Sequence, residues 1–370
     1  MLKTALNVLK KIEQNGFEAY IVGGYPRDYY LKKDSLDIDI CTNATPKDLL
    51  GIFPNINLSN AKYGSVSLNN NNIRFEITTF RKEYKYINNR LPAEIKYIDS
   101  LEEDLKRRDF TINTMCINSS GTMIDLMGAR EDIEKRIIRM VGDPKERLKE
   151  DSLRILRAIR FATTLNFQLD NHLKKYIKKY AYLLYNLSYY RKKDELDKIF
   201  SSCNNDYGIK LIREFKLYKY LGLKNFKKIR VVNSLIGIWA QLDVDNNYMF
   251  SKNERYMIDK IKQLLKMDIL SPFCLYNNDL FLITICGEIK GISKNDIYDI
   301  YEKLPIKNRS DIDINSEDIC SILNIEPSFL LKKIWLDLER CILNGELDNQ
   351  HAEIVAYLKK VDIQKYENKV

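Results

Sequence analysis

The chain has 370 residues, which exceeds the size that a single hydrophobic core usually serves, so we expect two or more domains. Hydrophobic residues account for 45% and charged residues for 30%, and the formal net charge of +9 indicates a basic surface. No apolar run approaches the roughly 20 residues of a membrane span and no signal-peptide core is present, so we expect a cytoplasmic protein without a membrane partner.

The first 138 residues alternate between helix and strand patterns. A helix is predicted over 4–14, and strands are predicted over 19–22, 36–41, 65–68, 73–80 and 113–117. The rest of the chain has helical periodicity almost throughout. This order predicts an α+β protein, with an N-terminal mixed sheet and its helices followed by an all-α remainder.

Two adjacent glycines, Gly23 and Gly24, follow the apolar run 17–22 and precede a short predicted helix. At such a turn, bare backbone N–H groups can approach the phosphates of a nucleotide. A Gly-Gly pair alone is most often an ordinary turn, so its interpretation depends on the residues that lie beside it.

Acidic and apolar residues alternate over 36–41. In a strand, this pattern directs Asp37 and Asp39 to one face and the apolar side chains to the other. Neighbouring carboxylates repel each other unless a cation lies between them, and their hard oxygen atoms suit Mg²⁺ that also binds substrate phosphates. We expect Glu76, on the alternating strand 73–80, to join the pair. The alternative interpretation is that Asp37 and Asp39 are solvated side chains on an exposed strand edge.

Residues 81–100 contain few apolar side chains and are predicted to form a long mobile loop, which is usually functional in a compact domain. The segment that follows contains Arg107, Arg108 and Asp109. Its guanidinium groups can hold a triphosphate, and its carboxylate can accept a hydrogen bond from a ribose hydroxyl. The alternative is a salt-bridged strand entrance.

A further helix is predicted over 150–165, with one polar ridge formed by Asp151, Arg154, Arg157 and Arg160. In isolation this ridge is typical of a solvated helix face. Beside a triphosphate site, Asp151 can accept from the amino group that cytosine and adenine share, and Arg154 can donate to the adjacent ring nitrogen. On the same edge, uracil and guanine carry an acceptor where cytosine and adenine carry the amino donor, and a donor where they carry the ring-nitrogen acceptor. Asp151 and Arg154 would therefore be left unpaired by UTP or GTP, which predicts that the site selects CTP and ATP. Arg157 and Arg160 would reach the phosphates.

The helical remainder is basic and rich in tyrosine, a combination that suits an RNA partner. Its helices are predicted over 171–185, 194–201, 207–221, 232–241, 254–266, 317–323, 327–343 and 350–361.

The only histidines of the sequence are His172 and His351, which lie far from the acidic strands, so histidine-based catalysis is disfavoured. Seven scattered cysteines without Cys-x-x-Cys spacing predict reduced thiols and no zinc site.

Together these motifs resemble those of the bacterial CCA-adding tRNA nucleotidyltransferases. This is the class II branch of the polymerase-beta-like nucleotidyltransferases, which also includes bacterial poly(A) polymerases. The matching segments are Gly-Gly-x-x-Arg-Asp with Asp-x-Asp, Thr-Thr-Phe-Arg at 78–81, Arg-Arg-Asp-Phe-Thr-x-Asn, the connector 125–142, Glu-Asp-x-x-Arg and Leu-Arg-Ala-Ile-Arg-Phe-Ala. The segment 304–349 is similar to the tail of the Firmicutes-type CCA-adding enzymes, which favours these over poly(A) polymerases.

The resemblance implies stepwise addition of C, C and A to a tRNA 3′ end from CTP and ATP, without a template and with release of pyrophosphate. It implies Mg²⁺ on Asp37 and Asp39, and with Glu76, which the strand pattern adds, these are the predicted catalytic residues. It implies triphosphate contacts from Gly24, Arg27 and Arg108, base selection by Asp151 with Arg154, and further nucleotide-binding positions at Arg157 and Arg160. The residue patterns add Gly23 and Asp109 to the predicted nucleotide-binding residues. It also implies a head over 1–138, a neck over 139–205, a body over 206–268 and a tail over 269–370, with tRNA along the basic helical part. The oligomeric state, monomer or homodimer, stays open.

One departure concerns the flexible loop of the family, represented here by Arg81, Asn88 and Arg90. The family usually has Asp where this chain has Asn88, in a loop that is implicated in the switch from C to A addition. The nearest alternative is therefore a partial activity, either CC-adding, A-adding or poly(A) polymerase. A silent RNA-binding scaffold is less favoured because the acidic and basic motifs are intact. A small-molecule nucleotidyltransferase fits poorly with the long basic helical part.

Overall fold

The computed structural model describes residues 1–35, 37–70, 73–87 and 91–363, of which 85–87 and 91–93 are described by their backbone alone. The chain divides into two compact units. The first consists of Met1–Lys227 with Asp243–Met249, and the second of Lys228–Leu242 with Phe250–Val370. The predicted α+β class is confirmed, since the main sheet lies in the N-terminal part and helices form most of the remainder. No helix in the described part of the chain is long and apolar enough to cross a membrane.

The first unit contains the sheet and the helices around it. Its strands are β1 (Ala19–Val22), β2 (Ile38–Thr42), β3 (Ser65–Asn70), β4 (Ile73–Thr79), β5 (Arg81–Ile87), β6 (Leu91–Tyr97), β7 (Cys116–Ile117), β8 (Met123–Ile124), β9 (Ile137–Ile138), β10 (Gln168–Leu169), β11 (Leu223–Lys224) and β12 (Asp243–Val244). Its helices are α1 (Leu2–Glu13), α2 (Gly24–Tyr30), α3 (Pro46–Ile52), α4 (Leu101–Lys106), α5 (Ala129–Glu134), α6 (Pro144–Glu150), α7 (Leu153–Leu165), α8 (Asn171–Tyr180), α9 (Tyr189–Phe200), α10 (Asn205–Glu214) and α11 (Tyr218–Leu221).

The second unit is helical. It contains α12 (Leu235–Gln241), α13 (Lys252–Leu264), α14 (Pro272–Asn277), α15 (Leu280–Lys290), α16 (Lys294–Glu302), α17 (Ser316–Leu323), α18 (Phe329–Leu343) and α19 (His351–Leu358). The sequence patterns did not predict α14, α15 and α16. Pro272 stands at the start of α14, where its missing N–H costs nothing and Ser271 accepts from the N–H of Cys274.

The main sheet has the order β3-β4-β2-β1-β7-β8, in which β2 and β4 are parallel and the other pairs are antiparallel. The alternation in β2 buries Ile38 and Ile40 in the core beneath the sheet and leaves Asp39 on the other face. In register, Asp39 lies between Val22 of β1 and Glu76 of β4. The sheet therefore places two acidic residues of neighbouring strands side by side.

The prediction of a loop over 81–100 is wrong for its described residues, because β5 and β6 form an antiparallel hairpin. Charged and aromatic residues alternate only over 83–86, so the segment lacks the longer apolar alternation on which a strand prediction depends. Asn88 and Arg90 lie outside the described residues. Arg81 is the first residue of β5.

The predicted helix over 150–165 also differs. Its helical part is α7, which begins at Leu153, whereas Glu150 is the last residue of α6, and Asp151 and Ser152 separate the two helices. Asp151 has an extended backbone, with φ −138° and ψ 103°, and its carboxylate accepts a hydrogen bond from the N–H of Leu153 at 3.0 Å. Asp151 therefore lies before the ridge of arginines on α7 and not on it. A side chain that binds its own backbone in this way competes with continuous helix.

Candidate active site

A cavity of about 590 Å³ in the first unit brings together most of the predicted site residues. Its walls come from the turn after β1, from β2, from the segment after α4 and from α7. The predicted residues that line it are Gly23, Gly24, Arg27, Asp37, Asp39, Arg108, Asp109, Asp151, Arg154, Arg157 and Arg160. The carboxylates of the sheet and the Asp151–Arg154 pair thus open into one space.

The glycine turn depends on glycine for two reasons. Gly23 has φ +85°, a conformation that residues with a side chain rarely adopt. A Cβ atom at Gly23 would also lie 2.9 Å from Oδ2 of Asp39, closer than real Cβ contacts. The backbone therefore passes directly over the Asp39 carboxylate before α2 begins at Gly24.

The Asp39 carboxylate lies in an unfavourable environment when no cation is bound. Asp39 still reaches solvent at the cavity, but the surrounding protein removes much of its hydration. Burial, followed by repulsion from Glu76, raises the pKa of Asp39 to about 6, although Arg108 opposes the shift. Asp37 adds a further repulsion. A divalent cation beside Asp37 and Asp39 would remove this cost, so the residues present fit such an ion.

The described residues do not form a complete metal cage by themselves. Among them, no group of three or more His, Cys, Asp and Glu side chains is close enough to enclose an ion. Glu76 is exposed and does not line the cavity. The protein thus offers two carboxylates, and the other ligands of a bound cation would come from water or substrate phosphates.

Arg27 is held in place inside the first unit. Its guanidinium donates to both carboxylate oxygens of Asp28, at 2.8 and 2.9 Å, and to Oδ1 of Asn113 at 2.6 Å. Only 7% of the residue is exposed. A buried guanidinium fixed in this way presents its charge to the cavity without having to order a flexible side chain.

A buried aspartate that the sequence analysis missed organises the arginines after α4. Asp104 is fully buried and accepts from the Arg81 N–H at 3.1 Å, from Nε of Arg107 at 2.8 Å and from Nη2 of Arg108 at 3.1 Å. Burial alone would raise the pKa of Asp104, but Arg108 and Arg107 lower it below its ordinary value. Glu83 of β5 also accepts from Arg107 at 3.2 Å, so the hairpin and the cavity wall share ion pairs.

Arg108 has a donor that these contacts leave unused. Its Nε atom is buried and has no hydrogen-bond partner in the described part of the chain. Such an atom is costly to leave unpaired, so Arg108 is suited to donate to an anion that enters the cavity.

Asp109 and Arg157 form an ion pair across the cavity wall, and this pairing differs from the separate roles that the sequence predicted for them. Oδ2 of Asp109 accepts from Nε of Arg157 at 2.7 Å and from its Nη2 at 2.6 Å. Although burial opposes it, Arg157 with Asn113 lowers the pKa of Asp109 to about 2. This pair ties the segment after α4 to α7.

The other two arginines of α7 are also anchored. Arg154 donates from Nη1 to the carbonyl oxygen of Arg147 at 2.7 Å and to Glu150 at 2.9 Å. Arg160 donates from Nε to Glu195 of α9 at 2.7 Å, and its guanidinium carbon lies 4.0 Å from the centre of the Phe161 ring. Burial raises the pKa of Asp151, while Arg154 acts in the opposite direction.

Six further residues line the cavity besides the predicted site residues. They are Asp28, Ser35, Glu83, Arg107, Asn113 and Phe161. Asp28, Arg107, Asn113 and Phe161 lie within the motifs quoted above, and the sequence predicts that the Arg107 guanidinium holds a triphosphate together with that of Arg108. Ser35 and Glu83 lie outside these motifs, and Glu83 falls in the segment 81–100 for which the sequence predicts a loop.

Family models match three parts of the chain. Residues 19–139 match the model described as "Poly A polymerase head domain", and residues 166–226 match "Probable RNA and SrmB- binding site of polymerase A". Residues 242–358 match a model of tRNA nucleotidyltransferase domain 2.

Curated relatives match over nearly the whole chain. The chain is 32% identical to the CCA-adding enzyme of Limosilactobacillus reuteri, with 98% of this chain and 97% of the relative covered. It is 33% identical to the CCA-adding enzyme of Streptococcus uberis, with 96% of each covered.

The chain belongs to the CCA-adding enzyme family. The resemblance stated from its motifs is thereby confirmed. Among solved structures, this family member is similar to the Bacillus stearothermophilus CCA-adding enzyme in complex with CTP, at 27% identity and a TM-score of 0.79, with 100% of this chain and 99% of that chain covered. It shares its fold with the Thermotoga maritima CCA-adding enzyme complexed with tRNA, at 21% identity and a TM-score of 0.72, with 96% and 94% covered.

Proposed function

We propose that this protein is a CCA tRNA nucleotidyltransferase, which adds C, C and A stepwise to the 3′ end of tRNA from CTP and ATP. The observation that carries this proposal is the shared cavity. It places Asp37 and Asp39 in the same space as Asp151 and Arg154, in a chain that belongs to the CCA-adding family. Transfer and base choice can therefore act on one bound nucleotide.

The reaction needs no protein nucleophile. The 3′-oxygen of tRNA forms a bond to the α-phosphorus of the nucleotide, and the bond to pyrophosphate breaks. We assign the triphosphate to the turn at Gly23 and Gly24 and to the guanidinium groups of Arg27 and Arg108. The buried Nε of Arg108 supports this assignment, because a phosphate oxygen would give it a partner.

We assign Mg²⁺ to Asp37 and Asp39, whose carboxylates fit a hard cation that also binds substrate phosphates. When bound, the ion would supply charge stabilisation for the phosphates and a lower pKa for the attacking hydroxyl. Glu76 would act beside them by keeping a negative charge next to Asp39, since it raises the pKa of that residue.

The base would be chosen by Asp151 and Arg154. The carboxylate accepts from the amino group of cytosine or adenine, and the guanidinium donates to the ring nitrogen. The anchors of Arg154 on Glu150 and on the Arg147 carbonyl support this role, because they fix where its donors point. Arg157 and Arg160 would contact the phosphates from the same helix.

We also propose the division into a head over 1–138, a neck over 139–205, a body over 206–268 and a tail over 269–370. The tRNA would contact the basic helical parts, and a cytoplasmic location follows from that substrate. The flexible-loop role of Arg81, Asn88 and Arg90 stays a prediction, and Arg81 is tied to Glu83 through its Nε at 2.9 Å.

The test is incorporation into a tRNA transcript that lacks its 3′ CCA. CTP alone should add two residues, and CTP with ATP should add three, with release of pyrophosphate that requires Mg²⁺. Addition that stops after CC, addition of A only to a transcript ending in CC, or unlimited addition of A would identify one of the partial activities. Tight tRNA binding without any pyrophosphate release would indicate a silent scaffold.

A further inference from the structure

A second cavity, of about 540 Å³, lies in the first unit and shares no lining residue with the active site. Four cationic side chains line it, Lys135, Arg136, Lys174 and Lys210, and Glu214 is the carboxylate beside them. The motifs of the sequence and the proposed reaction leave this cavity unexplained.

Three of the four cations of this cavity lack an ion-pair partner among the described residues. Lys135 has an exposed ion pair with Glu131. Arg136, Lys174 and Lys210 form no ion pair with any described residue, whereas many other lysines of the same unit pair within their own helix. Like charges that converge on one concave surface repel each other, and an anion bound between them would remove this cost.

The floor and one wall of the cavity are aromatic and fixed. Phe167 is buried, and the hydroxyl of Tyr207 donates to its carbonyl oxygen at 3.2 Å. Tyr207 and Lys210 lie on α10, which packs so closely on its neighbours that a Cβ at Gly208 would come within 2.6 Å of Ile199 and closer still to Thr163. The lining is thus built on packed elements, and its volume is that of a small-ligand site.

We propose that this second cavity binds a phosphorylated ligand through phosphate oxygens, with Lys174, Lys210 and Arg136 as the recognising groups. Phosphate suits the site because it carries several acceptors for ammonium and guanidinium donors. Two sources have this chemistry, a free polyphosphate such as pyrophosphate or a nucleotide, and a phosphate group of tRNA. The small, concave form of the cavity favours the free polyphosphate.

The experiment is acetylation footprinting of lysines, read by mass spectrometry on the full chain. The protein is labelled alone and with inorganic pyrophosphate, with ATP, or with a tRNA transcript. We expect pyrophosphate and ATP to slow labelling of Lys174 and Lys210 and to leave Lys178, one turn further along α8, unchanged. Slower labelling with tRNA alone would assign the phosphate to RNA. Unchanged labelling of Lys174 and Lys210 in every arm overturns the proposal.

A pair of matched variants tests whether protection arises at this cavity. Lys174→Ala with Lys210→Ala should weaken binding of the protecting ligand at this cavity by on the order of tenfold, as expected for the loss of two charge-assisted contacts. Lys178→Ala with Lys219→Ala removes the same charge from exposed positions outside the cavity and should change binding less than twofold. Equal weakening by both pairs would mean that only net charge matters and would overturn the proposal. CTP incorporation measured on the same samples tests the active site independently.

Discussion

The two walls of the active-site cavity carry opposite charge, and they differ in how far the protein itself neutralises that charge. The strand wall, formed by Gly23, Asp37 and Asp39, carries negative charge, and burial together with repulsion from Glu76 raises the pKa of Asp39 to about 6. The helix wall, formed by Arg154, Arg157 and Arg160 of α7, carries positive charge that is already paired with carboxylates.

The two walls therefore depend on ligands to different degrees. In the proposed function, a bound cation and a triphosphate would complete the strand wall. The helix wall keeps its geometry without them, because each arginine has a fixed hydrogen-bond partner. We therefore expect substitutions on the strand wall to act on the chemical step, and those on the helix wall to act on base choice and stability.

The largest effect is expected for Asp39→Ala. Loss of this carboxylate should lower CTP incorporation by on the order of 1,000-fold, because several kcal/mol of charge stabilisation disappear with the cation. Binding of tRNA, measured by filter retention, should remain nearly intact. Mg²⁺ should raise the thermal unfolding midpoint of the original protein but not that of the variant. A loss of tRNA binding as large as the loss of incorporation would contradict the assignment.

Gly23→Ala tests the close passage of the backbone over Asp39. The added Cβ would meet Oδ2 at 2.9 Å at a residue with φ +85°, so the carboxylate or the turn must move. A displacement of this kind should cost roughly 100-fold in incorporation. The control is Gly51→Ala in α3, where a Cβ would meet nothing within 4 Å. Equal activity of the two variants would show that the turn is not required.

Asp109→Asn tests whether the ion pair between the segment after α4 and helix α7 stabilises the fold. The folded-state pKa of about 2 lies below the ordinary 3.8, so ionised Asp109 stabilises the folded protein above pH 3.8. Its removal should lower the free energy of unfolding by about 2 kcal/mol at neutral pH. In chemical unfolding experiments, this difference should shrink as the pH falls from 3.8 toward 2. A difference that does not change with pH would exclude the ion pair as its cause.

The smallest effect is expected for base choice at Asp151. Asp151→Ala should reduce discrimination against UTP by roughly tenfold in single-nucleotide incorporation assays, since a mismatched buried contact costs about 1–3 kcal/mol. Burial raises the pKa of Asp151, so acid pH should protonate it and relax the choice in the original protein as well. In the alanine variant the choice should not vary with pH. Unchanged rejection of UTP by the variant would remove Asp151 from this role.

The sequence allowed good predictions wherever one local pattern decided the structure. Alternation placed Asp39 on the open face of β2, and its apolar neighbours are buried as expected. Thr followed by Pro is a common sequence signal for a helix start, and Thr45 with Pro46 begins α3, where Thr45 and Asp48 form a capping box. Both features are determined by residues that lie within a few positions of each other in the sequence, so a local sequence pattern is enough to predict them.

Features that depend on distant partners were missed. Nothing near Asp104 in the sequence shows that it would receive donors from Arg81 as well as from Arg107 and Arg108. The sequence predicts that Asp151 is helical, because it lies within a helical apolar pattern. In the structure its carboxylate accepts from the Leu153 N–H, and Asp151 lies between α6 and α7. Periodicity cannot indicate a carboxylate that competes for backbone donors.

The anchor of Arg154 on a main-chain oxygen has an evolutionary consequence. One of its partners is the carbonyl of Arg147, which every amino acid at that position would supply. The orientation of this guanidinium is therefore partly protected from mutational drift in the surrounding side chains. Homologues that differ at most positions could then retain the same nucleotide preference, provided that the path of the backbone from α6 to α7 is inherited.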